Sequence, residues 1–405
     1  MPYKKFNPTL ITVTNNPFYK QRATRIPTGC FMKNTDQLDN NNYRIEAMAP
    51  VEIGMLKELN ERVGDILNTG EPENILLLAD YGQGKSFAMK AIQDELFRRN
   101  RAIISLTCTG LQSIYNENDD SFPEKILGFV EKIFNALDED EYPQKTKLKN
   151  DLNLSGSHTF EEFIALYDNV YSQLNIPVFI FIDELDKIIT SNFTDEQKSR
   201  FLNVLKTIAE ACNESISLFV AGSPNCKTKM DDLGIDYAPR FYRIDSNLLN
   251  KDKTKQYIIE ICKKELQYNG YVPFDTYVIN EIAELSKGNI RNINRICNDL
   301  WRYSANRKEK ITKTNFEYFI IENSYQHIQT VVGSIDDAII KFIALLLANN
   351  GRISIVRYKK EFRDREKRKI MDFINNNGNV ITTIKKSYKI DVNLYDRILK
   401  QIRWE

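Results

Sequence analysis

Residues 79–86, with the sequence Ala-Asp-Tyr-Gly-Gln-Gly-Lys-Ser, have the types and spacing needed to bind a phosphate group. They follow the apolar residues 75–78, which predict a buried strand, and precede residues 87–92, which predict a helix. At such a junction the backbone N–H groups and the positive end of the helix can surround a triphosphate. The loop therefore predicts a nucleotide site.

Each part of this loop has a predicted role. The two glycines let the backbone approach the ligand closely, Lys85 reaches the β- and γ-phosphates, and the Ser86 hydroxyl ligates Mg²⁺. The predicted nucleotide contacts in this segment are Gly82, Gln83, Gly84, Lys85, Ser86 and Phe87. Ala79 replaces the first glycine of the pattern G-x-x-x-x-G-K-[ST], and alanine resists a positive φ. The alternative is a tight turn before a core helix, which leaves the Gly-Lys-Ser run unexplained.

A second group of reactive side chains follows the apolar residues 177–182. Asp183 and Glu184 are adjacent carboxylates at the carboxyl end of a predicted parallel strand, where their burial is costly unless a cation is near. We expect Asp183 to hold Mg²⁺ and Glu184 to be the base that polarises the attacking water. Asp186 and Lys187 are expected to begin the next helix as a cap and a surface charge.

The elements that must position these residues follow from the hydrophobic pattern. Strands are predicted at residues 75–78, 102–108, 177–182, 218–223 and 241–244, with helices between them. This alternation predicts an α/β fold with a parallel sheet covered on both sides. The 98 positions from Lys85 to Asp183 leave room for helices and a further strand between what we expect to be two neighbouring strands.

Composition excludes several classes of protein. Hydrophobic residues make up 42% and charged residues 27% of the 405 residues, which argues against wholesale disorder. The apolar residues 342–348 are too few to span a bilayer, so no membrane contact is expected. Six scattered cysteines without a C-x-x-C pair, and only two histidines, argue against structural zinc. Reduced thiols of this kind indicate a cytoplasmic protein.

The motifs together resemble those of an AAA+ ATPase. Within that superfamily the chain is most similar to the group of origin-recognition initiators, TnsC/TniB-type transposition regulators and ExeA-type ATPases. The resemblance covers residues 45–325 and rests on residues 82–86, 182–186 and 285–294. It implies a P-loop core with a parallel sheet between helices, an all-helical lid and a small C-terminal winged-helix-like module.

The corresponding domain boundaries divide the chain into four segments. Residues 1–45 are expected to be an arm lying across the ATPase domain, and residues 46–250 the ATPase domain itself. Residues 251–328 are the expected helical lid, and residues 329–405 the expected winged-helix-like basic module.

The resemblance also implies three further site residues. Arg291 fills the position of the lid arginine that reaches the bound nucleotide, with Arg295 as the competing choice. Ser223, after the predicted fourth strand, fills the position of the polar residue that holds the attacking water, with Asn225 in reserve.

The third of these residues would act between subunits. Arg240 resembles the arginine that enters the ATP site of a neighbouring subunit, with Arg243 as the alternative. That role requires a homo-oligomer with shared ATP sites. A surface salt bridge is the alternative role for Arg240.

The C-terminal segment is basic although the whole chain has a net charge of only +1. Residues 331–405 hold 16 Lys and Arg residues against nine Asp and Glu residues. Such clusters give salt-sensitive contact with duplex DNA, which this segment is expected to bind. Asp364 and Glu366 are interleaved, so a solvated helix face is the alternative. The cations concerned are Arg363, Arg365, Lys367, Arg368, Lys369, Lys385, Lys386 and Lys389.

The expected function is therefore that of an ATPase that binds and hydrolyses ATP with Mg²⁺ and assembles on DNA as an oligomeric switch. Initiator, transposition, mobile-element and defence roles all fit this expectation. The alternative is a signalling or defence switch resembling the STAND ATPases, which oligomerises on a protein or nucleic-acid trigger. A protein-remodelling motor is less favoured, since the sequence has no obvious pore loop or second ATPase module.

Overall fold

The computed structural model describes residues 18, 29–32, 54–108, 121–154, 159–232, 240–246, 248–266, 273–307, 311–332, 336–349, 351–378, 380–384, 386–391 and 394. The chain divides into two compact units. The first comprises residues 23–248, and the second comprises residues 249–405 together with residues 1–22.

Within the described residues, the first unit is built on a sheet of six strands in the order β1-β3-β4-β5-β2-β6. All neighbouring strands are parallel except β1, which pairs antiparallel with β3. The predicted parallel sheet is thus confirmed. The strands are β1 (Gly29–Phe31), β2 (Ile75–Ala79), β3 (Ala102–Thr107), β4 (Val178–Asp183), β5 (Ile216–Gly222) and β6 (Tyr242–Ser246).

Helices cover both faces of this sheet. One face of the sheet packs against α1 (Met55–Thr69) and α2 (Lys85–Arg98). The residues of β2 alternate between the two faces: Ile75 and Leu77 belong to the apolar cluster on the α1 and α2 side, whereas Leu76 and Leu78 belong to the cluster on the other side. Because neither face meets water, the strands carry apolar residues at nearly every position. The helices that pack on the other face are α3 (Ser121–Ala136), α4 (Lys145–Leu154), α5 (Phe160–Gln173), α6 (Leu185–Ile189), α7 (Asp195–Ala211) and α8 (Pro224–Asp232).

The strand order corrects one expectation from the sequence. The strands that end at Ala79 and Asp183 are not neighbours, because β5 lies between them and pairs with both. Sequence separation carries no information on strand order, and β5 is buried along its whole length, which suits a central strand.

The amino-terminal arm contributes to both units where it is described. Gly29–Phe31 extends the sheet as its antiparallel edge strand, with Gly29 opposite Ser105. Phe18 belongs to the second unit and packs edge-on against Phe274 at 5.8 Å between ring centroids. The other residues predicted for the arm lie outside the described residues.

One buried carboxylate fixes the turn that leads into β5. Asp168, on α5, accepts hydrogen bonds from the backbone N–H groups of four consecutive residues at 2.7–2.9 Å, namely Asn213, Glu214, Ser215 and Ile216. Because a carboxylate accepts several hydrogen bonds at once, this single side chain orders the whole turn.

The second unit begins with helices, as predicted. A C-terminal arrangement of helices and a three-stranded sheet follows, with the strand order β7-β9-β8, and α13 packs against β7, β9 and α15. The helices before it are α9 (Lys251–Leu266), α10 (Thr276–Ser286), α11 (Ile290–Arg307) and α12 (Lys313–Val332). Its own elements are α13 (Asp337–Leu347), β7 (Arg352–Ser354), α14 (Ile355–Glu361), α15 (Asp364–Asn376), β8 (Ile381–Ile384) and β9 (Ser387–Ile390).

A polar contact joins α12 to this C-terminal arrangement. The Arg357 guanidinium on α14 donates to both carboxylate oxygens of Glu317 on α12, one of them at 3.0 Å. The same group donates to Asn349 Oδ1 at 2.7 Å. Glu317 is only 8% exposed, so this bidentate ion pair is largely removed from water.

Two further properties concern the cysteines and the hydrophobicity of the helices. All six cysteines fall within the described residues, where all are buried and none is in a disulfide. Within the described helices, none is long and apolar enough to cross a membrane. The expected cytoplasmic location stays a prediction.

Candidate functional site

Three neighbouring strands bring the predicted site residues to one edge of the sheet. Residues 80–84 follow β2, Asp183 ends β4, and Ser223 follows β5. These strands are adjacent and parallel in the order β4-β5-β2, so their carboxyl ends lie side by side. Clefts at the carboxyl ends of parallel strands are where α/β proteins bind ligands.

The loop after β2 has the backbone of a phosphate cradle. Gly82 and Gly84 have φ values of 84° and 90°, a left-handed conformation that side chains resist. The helix α2 begins directly afterwards at Lys85. Ala79 is the last residue of β2, and it is not one of the described non-glycine residues that have a positive φ. This position therefore does not require a glycine, and alanine occupies it without backbone strain.

The Lys85 ammonium folds back on its own loop. Its Nζ donates to the carbonyl oxygens of Ala79 and, at 3.3 Å, of Asp80. Burial lowers the pKa of Lys85, while the carboxylates of Asp186 and Asp183 act in the opposite direction. The cation is thus partly desolvated and held at the mouth of the loop.

Asp183 is joined to the loop by a hydrogen bond with the Ser86 side chain. The carboxylate is 3% exposed, and burial raises its pKa. The bond to Ser86 opposes that rise, as does the bond from the Glu184 N–H at 2.8 Å. The two predicted Mg²⁺ ligands therefore meet, and a hydroxyl beside a carboxylate is a donor set that suits this ion.

Glu184 has an unusual backbone. Its φ is 62° and it occupies the N-cap position of α6. A left-handed glutamate is strained, and such strain persists where the surroundings enforce it, often at functional sites. The prediction that Asp186 caps this helix is wrong, because the strained turn places the cap two residues earlier at Glu184.

Asp186 is the acidic residue that the sequence prediction left out of the site. It lies half-buried on α6, and its carboxylate is the foremost charge that raises the pKa of Lys85. It also contributes to the raised pKa of Cys108 and of Cys226, after burial in each case. The signal available was its spacing, since a carboxylate three positions after Asp183 lies in the first turn of the helix that follows the strand.

Ser223 lies between the loop and the acidic pair, because β5 lies between their strands. Its Oγ is 3.6 Å from Cys226 Sγ. A Cβ at Gly222 would lie 2.8 Å from the same sulfur, so glycine permits α8 to start tightly against the strand end. Asn225, the reserve choice, is exposed on α8. The role of Ser223 stays a prediction.

Arg240 lies at the opposite edge of the sheet, just before β6 begins. It forms an ion pair with Glu210 near the end of α7, so the salt bridge considered as its alternative role is present. Arg243 is on β6 and forms an ion pair with Asp245 at 2.8 Å. Each residue has a partner within its own chain, and neither assignment as the intersubunit arginine is tested.

Arg291 and Arg295 are both on α11 in the second unit, with Arg291 the more exposed. The turn before this helix is fixed by a close backbone approach. Gly288 has φ 74°, and a Cβ there would lie 1.9 Å from the Leu249 carbonyl oxygen. The choice between the two arginines stays open.

The remaining two loop residues differ in environment. The Phe87 side chain packs against the apolar cluster of α1 and α2, so its predicted nucleotide contact falls to the backbone. Gln83 is buried, and within the described residues its amide nitrogen and oxygen lack hydrogen-bond partners.

The basic C-terminal residues differ in whether they are paired with acidic residues and in how far they are exposed. Lys367 pairs with Asp364, Lys369 pairs with Asp336, and Glu366 accepts from the Arg363 N–H at 2.7 Å. The acids interleaved on α15 are thus engaged locally. The exposed cations that remain are Arg363, Arg365, Arg368, Lys386 and Lys389, whereas Lys385 lies outside the described residues.

Comparisons with known proteins agree with the geometry. A sequence profile for the ATPase family associated with various cellular activities (AAA) matches residues 75–246. No curated protein matches the chain.

Three of the solved structures that are similar to the chain illustrate the extent of the match. Cdc6p from Pyrobaculum aerophilum is 12% identical over 88% of this chain and 96% of its own, with a TM-score of 0.39. Orc1 from Aeropyrum pernix, in complex with DNA, is 12% identical over 93% and 98%, with a TM-score of 0.39. A RuvB variant from Thermotoga maritima is 12% identical over 85% and 93%, with a TM-score of 0.39.

Proposed function

We propose that the chain, whose residues 75–246 match a model of the AAA ATPase family, binds ATP with Mg²⁺ and hydrolyses it. The observation that carries this proposal is the hydrogen bond between Ser86 and Asp183. It joins the phosphate loop to the acidic strand end across the intervening strand β5. Lys85 completes the site as its cation.

The residues of the site divide the chemistry among themselves. Lys85 exchanges its two loop carbonyls for phosphate oxygens, which are stronger acceptors for an ammonium. Ser86 and Asp183 hold Mg²⁺, which neutralises charge on the transferred phosphoryl group. Glu184 takes a proton from the attacking water, and Ser223 helps to orient that water.

The chain further assembles as a homo-oligomer in this proposal, with Arg240 acting between subunits. Arg240 and the phosphate loop lie at opposite edges of the sheet, separated by the length of β6, roughly 17 Å for five residues. Arg240 is therefore remote from the ATP site of its own subunit. Its position suits contact with a neighbour, after release of Glu210. Arg291 is the proposed lid arginine.

Duplex DNA is the proposed assembly surface. Exposed cations on α15 and on the β8–β9 hairpin lie within one small module, and the interleaved acids Asp364 and Glu366 are already engaged. Arg365 and Arg368 are three positions apart on one helix and so share a face. Such a face neutralises phosphates without reading sequence.

The test is steady-state ATP hydrolysis with and without duplex DNA, over a range of salt and protein concentrations. We expect stimulation that rises with protein concentration and falls with salt. The double variant Arg365→Glu/Arg368→Glu should lose the stimulation and keep the basal rate. Its matched control is Lys147→Glu/Lys149→Glu, which makes the same charge change at exposed sites on α4.

Two results would redirect the proposal. Lys85→Ala with unchanged ATP affinity would reject the assigned nucleotide site. A slow rate of ATP hydrolysis that DNA does not change in any condition would favour the signalling switch, which a protein would then trigger.

A further inference from the structure

Two segments of the chain leave the sheet side by side. Ala79 ends β2 and is followed by the phosphate loop, and Ser246 ends β6 and is followed by the chain that leads to the second unit. These two residues are paired across the neighbouring parallel strands. Residues 247 and 248 then lead to Leu249, at which the chain enters the second unit. The connection between the units therefore starts beside the loop that is proposed to bind phosphate.

Leu249 is held by the turn between α10 and α11. It is 7% exposed, and its N–H donates to the Gly288 carbonyl oxygen at 3.0 Å. Its own carbonyl oxygen accepts from Thr254 Oγ1 at 3.5 Å, and Thr254 is fully buried. Both polar groups of the Leu249 backbone are thus satisfied inside the second unit. The connection between the units therefore ends at a fixed point.

Gly288 allows this contact because it has no side chain. A Cβ there would lie 1.9 Å from the Leu249 carbonyl oxygen and 2.7 Å from the Leu249 nitrogen. Both are backbone atoms, so no change of rotamer could relieve the overlap. Gly288 also has a φ of 74°, and Lys287 before it has a φ of 49°. Two consecutive left-handed residues make a sharp turn, which glycine adopts more readily than any other residue.

The same turn sets the start of α11. The Asn289 N–H donates to the Ser286 carbonyl oxygen at 3.0 Å, and Asn289 Oδ1 accepts from the Asn292 N–H at 3.2 Å. Asn289 therefore caps α11, in which Arg291 is the second residue. The Gly288 N–H also donates to Ser286 Oγ at 3.4 Å. One hydrogen-bonded turn thus carries both the contact at Gly288 and the beginning of the helix of Arg291.

We propose that Gly288 is a positioning residue for Arg291. Its contact with Leu249 fixes the amino end of α11 to the chain that comes from β6, so that Arg291 follows any rotation of that chain. This inference rests on the proposed function, in which Arg291 is the lid arginine, and it adds the contact that sets the position of the arginine. Because a displacement of about 1 Å can cost much of an enzyme's rate, loss of the contact reaches hydrolysis through Arg291.

A second left-handed glycine supplies the matched control. Gly70, the C-cap of α1, has a φ of 76°, and a Cβ there would meet nothing within 4 Å among the described residues. Gly288→Ala and Gly70→Ala therefore impose the same unfavourable backbone conformation on an alanine. Gly288→Ala in addition forces two backbone segments apart. A comparison of the two variants separates backbone strain from loss of the contact with Leu249.

The experiment is a double-mutant cycle on the kcat of ATP hydrolysis by the full chain, assayed below the Tm of every variant. Gly288→Ala should lower kcat about tenfold, and Arg291→Ala should lower it at least as far. Adding Gly288→Ala to Arg291→Ala should lower kcat by less than about twofold more, because the side chain that the contact positions is already gone. Gly70→Ala should leave kcat within about twofold in either background.

The dependence on Arg291 decides the outcome. If Gly288→Ala lowers kcat equally with and without Arg291, the inference is overturned, because the glycine then acts by another route. An unchanged kcat in Gly288→Ala would overturn it as well. A wild-type kcat in Arg291→Ala would instead reject the lid arginine, and a wild-type chain that hydrolyses no ATP would reject the proposed function. The inference falls with either of them.

Ser286→Ala covers the case in which Gly288→Ala does not fold. It removes the hydroxyl that accepts from the Gly288 N–H and adds no atoms to the turn. We expect kcat to fall about threefold, as for loss of one hydrogen bond between neutral groups, and the fall should disappear in the Arg291→Ala background. No fall, or the same fall in both backgrounds, would overturn the inference.

Discussion

Glu184 combines a strained backbone with the role of proposed base. The left-handed φ of 62° turns the chain sharply after β4, so the carboxylate stays at the strand end while α6 begins. A residue selected for folding alone would be glycine or asparagine at such a φ. The strain thus points to a side chain that the site needs.

Glu184→Gln tests that role. The amide keeps the shape and the backbone but cannot take a proton from water, so hydrolysis should fall at least about 100-fold. Nucleotide affinity should stay within about threefold of wild type. Single-turnover hydrolysis and equilibrium binding measure the two quantities. Hydrolysis at the normal rate would show that another group is the base.

Asp183 links the site to pH. Burial raises the pKa of Asp183, so between the unfolded value, about 4, and the higher folded value the folded chain binds more protons than the unfolded chain. Stability from this group is therefore greatest below the unfolded pKa and falls as pH rises through the folded pKa.

Asp183→Asn removes this ionisation. At pH 7 the nucleotide-free variant should melt above wild type, and the difference should shrink as the pH falls toward about 4. Its Mg²⁺-dependent gain in nucleotide affinity should be lost. Thermal unfolding across pH, without Mg²⁺, measures the first effect. A difference that does not change with pH would exclude Asp183 as its source.

At the scale of elements, the contact between α12 and α14 decides how the C-terminal arrangement is held. Arg357 binds both oxygens of Glu317, and its Nη1 also reaches Asn349 in the turn after α13. One side chain therefore ties three segments of the second unit together. The geometry is bidentate and largely desolvated, which separates it from ordinary surface ion pairs.

Arg357→Met should destabilise these helices by about 3 kcal/mol, since the buried Glu317 carboxylate is left with only the Lys313 ammonium, at 3.9 Å, as an ion-pair partner. Adding Glu317→Leu should recover more than half of that loss, because the poorly compensated charge is gone. Native-state hydrogen exchange of α12 and α14 amides measures both. The control is Arg352→Met, at an exposed arginine bonded to Ser387, which should cost less than about 1 kcal/mol. Equal losses in the single and double variants would mean that charge burial is not the cause.

At the scale of the whole molecule, the position of Arg240 makes activity a property of the assembly. Arg240→Ala retains an intact ATP site, and Lys85→Ala retains an intact arginine, so each variant alone should be inactive. Mixed in equal amounts, about a quarter of head-to-tail interfaces combine a good site with a good arginine. The mixture should recover about that share of wild-type hydrolysis, measured at saturating protein concentration.

Arg243→Ala in place of Arg240→Ala identifies which arginine acts. If Arg240 is responsible, Arg243→Ala should remain active without a partner. A mixture of Arg240→Ala and Lys85→Ala with no recovery at any ratio would contradict action between subunits.

The sequence by itself determined the elements and the local chemistry. The loop at residues 79–86, the carboxylates Asp183 and Glu184, and the apolar strands were all readable, because strand burial and phosphate binding impose local patterns. The alternation of strands and helices was enough to predict the parallel sheet, now confirmed. The predicted resemblance to AAA+ ATPases is confirmed by the match of the AAA family model to residues 75–246, whereas the domain boundaries stay a prediction.

Only the tertiary structure decided which local pieces meet. Strand order placed β5, and with it Ser223, between the phosphate loop and the acidic pair, and it put Arg240 at the far edge. The fold then drew Asp186 into the site and buried the Gln83 amide without a hydrogen-bond partner among the described residues. These features depend on contacts between segments that are far apart in the chain. Residue types and local spacing do not show which distant segments meet, because that is decided by the fold as a whole.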